Sequence, residues 1–509
     1  MTTRKNSLIP KFFIFLPLFL YFGKRSVIAY DEGFYAIQAR WILEKGNWIA
    51  PMWWDSITND RTIGIQFLLA LSRKIFGNSL TAFYLPIFVS SILMLFATYH
   101  LHKELLNDKH SFYSPIILSS TFLWINYSHM ATQDIVFASI ISCGILGTIK
   151  AYKTHKNIYY LFSGIWIGLA VMFKTYLTAI PLLAISPFLL SSKIIYKKYF
   201  WIGLIMGFLP FFIWSYKYIS VYGYSMYAGI YKKLIFLSEK NNFSKSNFYY
   251  LWNFTINIFP WTFLSIIGFL QSFRMDSFKK YFLFFYPISI IILLSLFSTK
   301  TPYYPLQILS LISINSFLGI RYFLEKDHKY FISYFKKLNF ILIPVIFIFG
   351  ILILNITSLI NLDTRAKFFM TIGASIFSFS WILFCIIKDK NIKLNLSVIG
   401  PYFLILMLVQ SGLITDKSKE LRIISEELII SENLSKTPIV IDRSYSGDNA
   451  DSKIIKIMMQ MPKLGKSINK LEDLSSNSFA WTTTNKLGEN YELINSNKVF
   501  HPWKLIFKK

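Results

Sequence analysis

The sequence predicts a mostly α-helical protein that crosses a membrane many times. Of its 509 residues, 54% are hydrophobic and 16% are charged, and the mean hydropathy is +0.46. A soluble protein would carry about 25% charged residues. The apolar residues also form long blocks rather than alternating or amphipathic patterns. A block of about 20 residues can cross the hydrocarbon core as a helix, so we expect a polytopic membrane protein.

About thirteen apolar blocks predict about thirteen transmembrane helices. The first follows Arg4, Lys5 and Lys11, as in a signal peptide. The bulky and charged sequence FGKRSVIAYDE after it has no small-residue cleavage site, so we expect a retained span. The blocks cover residues 8–23, 80–99, 112–127, 132–149, 158–173, 175–191, 200–220, 252–272, 281–298, 303–321, 339–358, 368–387 and 396–414.

Basic residues predict the orientation of these spans. If the N-terminus is cytoplasmic, every cytoplasmic loop is rich in Lys or Arg, and the short outer loops are poorer in both. The odd number of spans then places the C-terminus outside. The net charge of +27 comes from these short clusters, which fit anionic lipid surfaces and predict no binding to nucleic acid. A composition rich in Ile, Lys, Asn and Phe is typical of a prokaryote, so we expect a bacterial plasma (inner) membrane.

The chain divides into two predicted domains. Residues 1–414 form the transmembrane domain, and its first extracytoplasmic loop, residues 24–79, contains two patterns of interfacial helices, GFYAIQARWIL and IGIQFLLALSRKIF. Residues 415–509 are polar and predict a small α/β extracytoplasmic domain, with a helix at SKELRIISEELII and strands at TPIVIDRS and near SFAWTTT. The chain has no internal repeat, which weighs against many transporter architectures.

Charged residues from several segments meet at the outer face in this topology. A single charge at a helix end usually reaches to the headgroups and has no further role. Acids gain no attraction from anionic headgroups, however, so the combined pattern indicates a functional site. Its members are Asp31 and Glu32 after the first span, Asp60 and Arg61 in the first outer loop, Asp134 at the fourth span, Lys174 between the fifth and sixth spans, and Lys300 before the tenth.

These residue types suit the displacement of a lipid phosphate from a sugar carbon. A carboxylate can take the proton of an acceptor hydroxyl or amine. Lys and Arg can bind a phosphate and stabilise it as a leaving group. No Gly-rich phosphate loop, HExxH or paired CxxC motif occurs, and both cysteines, Cys143 and Cys385, lie in apolar blocks. The sequence therefore identifies no cofactor and no set of metal ligands, and a divalent metal stays an open alternative.

The order of five motifs resembles the GT-C membrane glycosyltransferases, in the branch of protein O-mannosyltransferases and bacterial lipid A aminoarabinose transferases. DEGFYAIQARWILEKGNWIAP is similar to the D-E-x-x-Y-A…G-x-W opening of that family. NDRTIGIQFLLALSRKIFGNS is similar to D-K-P-P…ALxxKLFG, and GLAVMFKTYLTAIPLLA to G-L-A-x-L-T-K-G-P. NIFPWTFL resembles the P-W of a later span, and LFSTKTPYYPLQILSLIS resembles F-S-x-S-K-L-P-x-Y-x-L-P. The likeness covers roughly residues 8–415.

This resemblance implies an inverting glycosyltransferase that uses a polyprenyl-phosphate sugar donor and a lipid, glycan or protein acceptor on the extracytoplasmic side. It implies that Asp31, with Glu32 beside it, acts at the acceptor, and that Asp134 is the second acid. It places Arg61, Lys300, Lys174 and Tyr304 near the lipid phosphate. Family members have around a dozen spans and often a C-terminal extracytoplasmic domain.

Departures from the family pattern leave the donor sugar and the acceptor open. Phe34 stands where the aminoarabinose transferases have Arg, D-K-P-P has become DRTI, and T-K-G-P has become FKTY. Two other functions are alternatives. A transporter or flippase of lipid-linked sugars would need charges near the bilayer midplane and broken helices in paired halves. A non-catalytic family member would not need Asp31 and Asp134, and both are present.

Overall fold

A computed structural model describes residues 11–21, 25–241, 244–325, 338–356, 362–444 and 448–509. Arg4, Lys5, the start of the first predicted span and the basic residues between 326 and 337 lie outside the described residues. Most of the described residues are helical, as the predicted fold class requires.

Many of the helices are long and apolar enough to cross a membrane. By length and composition, the described residues contain eight such segments, or nine if two short helices bent by 113° form one span. The structure therefore confirms a multi-span helical protein, although it does not confirm the number thirteen. The eight segments are Leu80–Leu106, Gln133–Thr154, Asn157–Ser191, Lys198–Tyr222, Ser277–Leu296, Tyr304–Leu324, Thr364–Ile386 and Lys390–Gln410, and the bent pair is Tyr249–Asn257 with Thr262–Ser272.

The described chain forms twenty-one α-helices and seven strands, joined by short 3₁₀ and π turns. The helices before residue 200 are α1 (Leu16–Phe19), α2 (Phe34–Lys45), α3 (Gly64–Phe76), α4 (Leu80–Leu106), α5 (Tyr113–Ser119), α6 (Phe122–Ser128), α7 (Gln133–Thr154), α8 (Asn157–Lys174), α9 (Ala179–Ser191) and α10 (Lys198–Tyr222). The later ones are α11 (Ser225–Ser238), α12 (Tyr249–Asn257), α13 (Thr262–Ser272), α14 (Ser277–Lys280), α15 (Tyr286–Leu296), α16 (Leu309–Glu325), α17 (Ile343–Ile356), α18 (Thr364–Ile386), α19 (Lys390–Gln410), α20 (Lys419–Ser431) and α21 (Asp448–Gln460).

The single apolar segment Asn157–Ser191 contains two helices, α8 and α9, which run in opposite directions, as the fifth and sixth predicted spans require. A Cβ added to Gly164 of α8 would lie 2.1 Å from the carbonyl oxygen of Phe200, and one added to Gly168 would lie 2.2 Å from the nitrogen of Phe208. These contacts advance in the same direction along α8 and α10, so the two helices are parallel. The connection at residues 192–197 is too short to recross a bilayer about 30 Å thick, since a residue spans at most about 3.5 Å. Helix α9 must therefore return the chain.

Both helical patterns of the first outer loop are helices in the structure. Helix α2 and helix α3 are separated by a small antiparallel pair, β1 (Met52–Trp53) and β2 (Ser56–Ile57). The ring of Trp41 in α2 packs edge-on against Trp54, with 5.1 Å between their centroids. This aromatic contact holds the turn against α2 and fixes the path of the loop toward Arg61.

The C-terminal segment forms a small α/β domain, and the predicted helix and both predicted strands are confirmed. Its five-stranded sheet has the order β4–β3–β5–β7–β6, in which β3 is parallel to β4 and β5 and the other pairs are antiparallel. Trp481 and Leu505 are fully buried in its core. The strands are β3 (Pro438–Asp442), β4 (Lys463–Ile468), β5 (Ser478–Thr482), β6 (Tyr491–Asn495) and β7 (Lys504–Lys508).

This domain docks on the first outer loop. Arg40 of α2 is buried and donates hydrogen bonds to the carbonyl oxygens of Met458 and Met461, both at 2.8 Å. Glu44 accepts a hydrogen bond from the backbone nitrogen of Leu464 at 2.8 Å. Separating the domain from α2 would leave this buried guanidinium without its carbonyl acceptors, which is costly. The contact therefore holds α2 and the domain together.

Candidate active site

Asp31 and Glu32 lie on a π turn, Ala29–Gly33, that leads into α2. Gly33 is the last residue of this turn, and its position has no room for a side chain. A Cβ there would lie 2.5 Å from the Ile455 side chain of α21 and 2.7 Å from the Ile28 carbonyl oxygen. The C-terminal domain thus packs directly against the backbone of the turn. Of the two adjacent acids, Glu32 points into the protein, whereas Asp31 is exposed.

Glu32 is an anchor of the turn. It is 1% exposed, and its Oε1 accepts hydrogen bonds from the Tyr84 hydroxyl at 2.6 Å and the Ala131 nitrogen at 2.9 Å. Its Oε2 accepts from the Ile28 nitrogen at 3.3 Å. Burial raises the pKa of Glu32, and the hydrogen bonds from Tyr84 and Ala131 oppose that rise. Both oxygens are therefore engaged by protein donors, and Glu32 ties α4 and the chain at Ala131 to the turn.

Asp31, in contrast, carries an uncommitted carboxylate. In the part of the chain that the structure describes, it has no hydrogen-bond or ion-pair partner. Its charged neighbours are Asp134, Lys174, Arg61 and Lys417. The residue is accessible to solvent, but protein surrounds its carboxylate on most sides. This burial and the charge of Asp134 raise the pKa of Asp31, and the three cations oppose the rise. A carboxylate with a raised pKa and no partner suits a general base.

Asp134 and Lys174 form a buried ion pair. Asp134 lies in the first turn of α7, where an acid is favoured by the helix dipole, and Lys174 is the last residue of α8. Lys174 donates a short hydrogen bond to Asp134 Oδ1, and the side chains are only 3% and 6% exposed. The rings of Tyr303 and Tyr304 both have centroids 4.9 Å from Lys174 Nζ. The two tyrosine rings therefore lie against the ammonium group of the buried pair.

Arg61 comes to the same place because its loop is clamped from two sides. A Cβ on Gly64 would lie 2.4 Å from the carbonyl oxygen of Met172, two residues before Lys174. A Cβ on Gly229 of α11 would lie 2.2 Å from the carbonyl oxygen of Asn59. Both glycines permit backbone contacts that a side chain would prevent. They bring Arg61 into electrostatic reach of Asp31.

The guanidinium of Arg61 is held in a fixed orientation. Its Nε and Nη2 donate to the two carboxylate oxygens of Asp60 at 3.0 and 2.6 Å. The rings of Phe34 and Tyr35 lie 5.0 and 5.2 Å from its central carbon. Lys233 Nζ is 3.9 Å from Asp60 Oδ2. Burial alone would raise the pKa of Asp60, but these cations hold it below its usual range. One acid is thus shared between two cations, which leaves a net positive charge there.

Lys300 makes different contacts. Lys300 is 3% exposed, and its ammonium donates to the carbonyl oxygens of Phe297 at 2.5 Å and Lys245 at 3.2 Å. Asn247 Oδ1 is 3.5 Å away. Burial lowers the pKa of Lys300, and no acid of the site is among its partners in the described chain.

The structure therefore brings together five of the seven predicted site residues around one point, namely Asp31, Asp134, Lys174, Arg61 and Tyr304. Glu32 lies beside them as an anchor, and the phosphate-binding role of Lys300 stays a prediction.

Several neighbours were not found by the sequence analysis. Tyr303 stood beside Tyr304 in TPYYP, and Lys233 and Lys417 stood in polar outer segments, where nothing distinguished them from other lysines. Tyr127 faces both Asp31 and Asp134, and it comes from α6, which has no motif. Within the described residues, no group of three or more His, Cys, Asp or Glu side chains could hold a metal ion.

Part of the chain resembles a known protein family and curated proteins in sequence. Residues 60–216 match the family described as dolichyl-phosphate-mannose-protein mannosyltransferase. Two curated relatives are both named undecaprenyl phosphate-alpha-4-amino-4-deoxy-L-arabinose arabinosyl transferase. The one from Photorhabdus laumondii is 25% identical over 173 residues, covering 32% of this chain and 31% of the relative. The one from Shewanella sediminis is 24% identical over 191 residues, covering 36% and 35%. The chain thus spans about a third of the length of the curated relatives it matches.

The fold is similar over nearly the whole chain to ArnT from Cupriavidus metallidurans. The crystal structure of ArnT bound to undecaprenyl phosphate matches with a TM-score of 0.78 at 12% identity, covering 97% of this chain and 96% of that one. Its apo structure matches with a TM-score of 0.65 at 13% identity, covering 90% and 84%. These similarities define a multi-span membrane protein with the ArnT-like fold.

The chain thus resembles the protein mannosyltransferases over residues 60–216 and the aminoarabinose transferases over about a third of its length, and it shares the fold of ArnT. The resemblance predicted from five motifs is confirmed at this level.

Proposed function

We propose that the protein is an integral membrane glycosyltransferase of cell-envelope glycan biosynthesis. It transfers a sugar from a polyprenyl-phosphate donor to a lipid, glycan or protein acceptor on the extracytoplasmic face, with inversion at the sugar carbon. The observation that carries this proposal is the uncommitted carboxylate of Asp31 beside Arg61 and the buried Asp134–Lys174 pair. The names of the relatives and the ligand of the ArnT structure favour a polyprenyl phosphate as the carrier.

In the proposed reaction, Asp31 accepts the proton of the acceptor while the acceptor oxygen or nitrogen attacks the sugar carbon. The bond between that carbon and the phosphate oxygen breaks, and its electron pair leaves with the polyprenyl phosphate. Arg61 stabilises the charge that grows on the phosphate. Lys174 and Tyr304 line the same place, and Lys300 is the remaining predicted phosphate ligand. Asp134 keeps Lys174 in position. The proton leaves Asp31 to solvent after product release.

We further propose the membrane arrangement predicted from the loop charges. About thirteen spans begin with a cytoplasmic N-terminus in a bacterial plasma membrane, within a transmembrane domain of residues 1–414. Helices α2 and α3 lie in the outer interface, and residues 415–509 form an extracytoplasmic domain. Two observations support this arrangement. Helix α9 returns the chain between the parallel helices α8 and α10. The C-terminal domain and the acidic turn lie on the same side of the helices, since they touch.

A flippase of lipid-linked sugars is the second candidate, and one feature favours it. Helices α12 and α13 meet at 113° and form a broken span or re-entrant loop. The flippase would need such breaks in corresponding positions of two halves. The described residues contain one bent pair, so the glycosyltransferase is the better interpretation.

The test is mass analysis of envelope glycolipids and glycoproteins from a deletion strain. Loss of one sugar mass from an envelope component, restored by the wild-type chain but not by Asp31→Asn, is the expected result. Asp55→Asn is the matched control, because Asp55 lies in the same loop but forms an exposed ion pair with Lys45. Restoration by Asp31→Asn would remove the proposed base. Two results together would favour the flippase. The deletion strain would accumulate the lipid-linked sugar that has not crossed the membrane, and vesicles from that strain would still make the transfer product when the donor is supplied from outside.

A further inference from the structure

The chain that leaves the last membrane helix is bound to the segment that precedes the acidic turn. Ser26 forms a parallel β-bridge with Asp416 and donates its hydroxyl hydrogen to Asp416 Oδ1 at 2.6 Å. The Ser418 nitrogen donates to Ser26 Oγ at 2.6 Å, and the Ser418 hydroxyl donates to the Val27 carbonyl oxygen at 3.1 Å. Residues 416–418, here called the crossing segment, are therefore fixed a few residues before Asp31.

Lys417 is the central residue of the crossing segment, and its ammonium points toward the site. It donates to Asn126 Oδ1 at 2.8 Å and lies 3.2 Å from Met130 Sδ. The residue after Met130 is Ala131, whose N–H group holds Glu32. Thioether sulfur is a weak acceptor. In the described chain, the ammonium thus has one strong acceptor, and Glu32 and Asp31 are the acids within its electrostatic reach.

Lys417 differs from the other cations near Asp31. The charged groups near Asp31 are Asp134 from α7, Lys174 from α8, Arg61 from the first outer loop and Lys417 from the crossing segment. The hydroxyl groups of Tyr35, Tyr127 and Tyr303 are the titratable tyrosines near it. Lys174 is paired with Asp134, and Arg61 is paired with Asp60. Lys417 forms no ion pair at contact distance within the described residues. Its electrostatic partners are Glu32 and Asp31. Of the three cations near Asp31, Lys417 is the one that no acid contacts directly within the described residues.

We infer that Lys417 is a positioning residue for the proposed transfer. It ties the crossing segment to the chain around Met130 and places an otherwise unpaired positive charge opposite Asp31. The inference rests on the proposed role of Asp31 as the base. It also gives the C-terminal domain a part in the chemistry, because the crossing segment leads directly into α20 of that domain.

The charge of Lys417 has a defined consequence for the pH dependence. Burial and Asp134 raise the pKa of Asp31, whereas Lys417 lowers it. A base works only when ionised, so activity falls as pH drops through the pKa of Asp31. Removing Lys417 raises that pKa further and moves the acid limb of the pH–rate profile to higher pH. Lys417 also lines a cavity of about 1000 Å³ whose wall includes neither Asp31 nor Asp134.

The experiment is the pH profile of kcat/KM for full-length Lys417→Met, Lys417→Gln and Lys417→Arg, with a short-chain polyprenyl-phosphate sugar as donor. An opposite charge within about 4–6 Å lowers a carboxyl pKa by roughly 1–3 units. We expect the acid limb to move up by roughly half to one pH unit in the two neutral variants, because Lys417 makes no direct contact with Asp31. Lys417→Arg should keep the limb at its wild-type pH. The plateau at high pH should stay within about threefold of wild type, since Asp31 is ionised there in every variant.

Lys419→Met is the matched control, because Lys419 lies two residues further on and forms an exposed ion pair with Asp363. It should leave the profile unchanged. Lys417→Gln keeps a hydrogen-bonding end for Asn126, so it remains informative if the Met variant does not fold. An unmoved acid limb in the neutral variants, or a lower plateau without a moved limb, would overturn the inference. If Asp31→Asn retains the wild-type rate, the proposed function fails instead, whatever the result for Lys417.

Discussion

The buried ion pair between Asp134 and Lys174 gives the sharpest energetic prediction. With side-chain exposures of 6% and 3%, neither charge can reach water when its partner is removed. Breaking a buried pair by removing one partner costs about 3–5 kcal/mol, since the other charge is left uncompensated. We therefore expect Asp134→Asn and Lys174→Met each to destabilise the protein by about that amount. The double variant removes both charges and should cost clearly less than the sum of the two.

The assay is thermal unfolding of the purified protein in one detergent at one scan rate. Unfolding entropy is about 2 cal/mol/K per residue, so a loss of about 3–5 kcal/mol over this chain lowers the midpoint by roughly 3–5 °C. A double-mutant cycle isolates the coupling between the two residues. The exposed pair Asp363 and Lys419 is the control, with side-chain exposures of 43% and 47%. Its coupling should be below about 1 kcal/mol.

Additive costs for Asp134 and Lys174, with a double variant as unstable as the sum, would refute the buried pair. For the exposed control pair Asp363 and Lys419, additive costs are the expected result, and they would not test the site. Coupling of similar size in both pairs would show that burial does not decide the strength of these contacts.

The remaining predictions concern the phosphate, the packing and the topology. Arg61→Ala should lower kcat/KM for the donor about ten- to a hundredfold, because a hydrogen bond to a charged group contributes roughly 1.5–3 kcal/mol. Arg61→Lys should be milder, and steady-state kinetics with varied donor would show it. Lys300→Ala should also act on the donor; an effect on the acceptor alone would exclude it as a phosphate ligand. Gly229→Leu should disrupt the contact with the 59–61 loop and lower donor binding, and an unchanged donor KM would contradict this packing. A reporter active only outside the cytoplasm should give signal after Ile414 and none after Lys198; reversal would place the acids in the wrong compartment.

Much of the site could be predicted because membrane topology restricts where a charge can lie. The predicted spans and their predicted direction place Asp31, Arg61, Asp134 and Lys174 on one face of the bilayer. This restricts their depth in the membrane, whereas their lateral proximity depends on how the helices pack. The helices α2 and α3, and the predicted helix and strands of the C-terminal domain, could also be read from local periodicity and strand-forming runs.

The directions of individual side chains could not be predicted in this way. Asp31 and Glu32 are adjacent in sequence, yet one carboxylate is uncommitted and the other is bound by Tyr84 and Ala131. Lys300 is predicted to bind the lipid phosphate, but nearby carbonyl oxygens hold its ammonium. These differences depend on contacts between distant segments, which the spacing of residues along one segment does not contain.

The role of the C-terminal domain was also outside the reach of the sequence. Its polar composition predicts a separate domain, but not that Ile455 packs against Gly33 or that Lys417 faces the acidic turn. No local pattern distinguishes Lys417 from Lys419, two residues later, although one points to the site and the other to Asp363. Only the three-dimensional docking of the domain separates them.

The most direct test of the central claim is the turnover of the purified protein with Asp31→Asn. The substitution keeps the shape of the side chain and removes the base. The measurement is the release of polyprenyl phosphate from a short-chain donor with saturating acceptor, beside wild type and Asp55→Asn. The account predicts a loss of about 10²- to 10⁴-fold for Asp31→Asn, the usual cost of removing a general base, and a near-wild-type rate for Asp55→Asn. Turnover of Asp31→Asn within about tenfold of wild type would contradict the account, because another group would then take the proton.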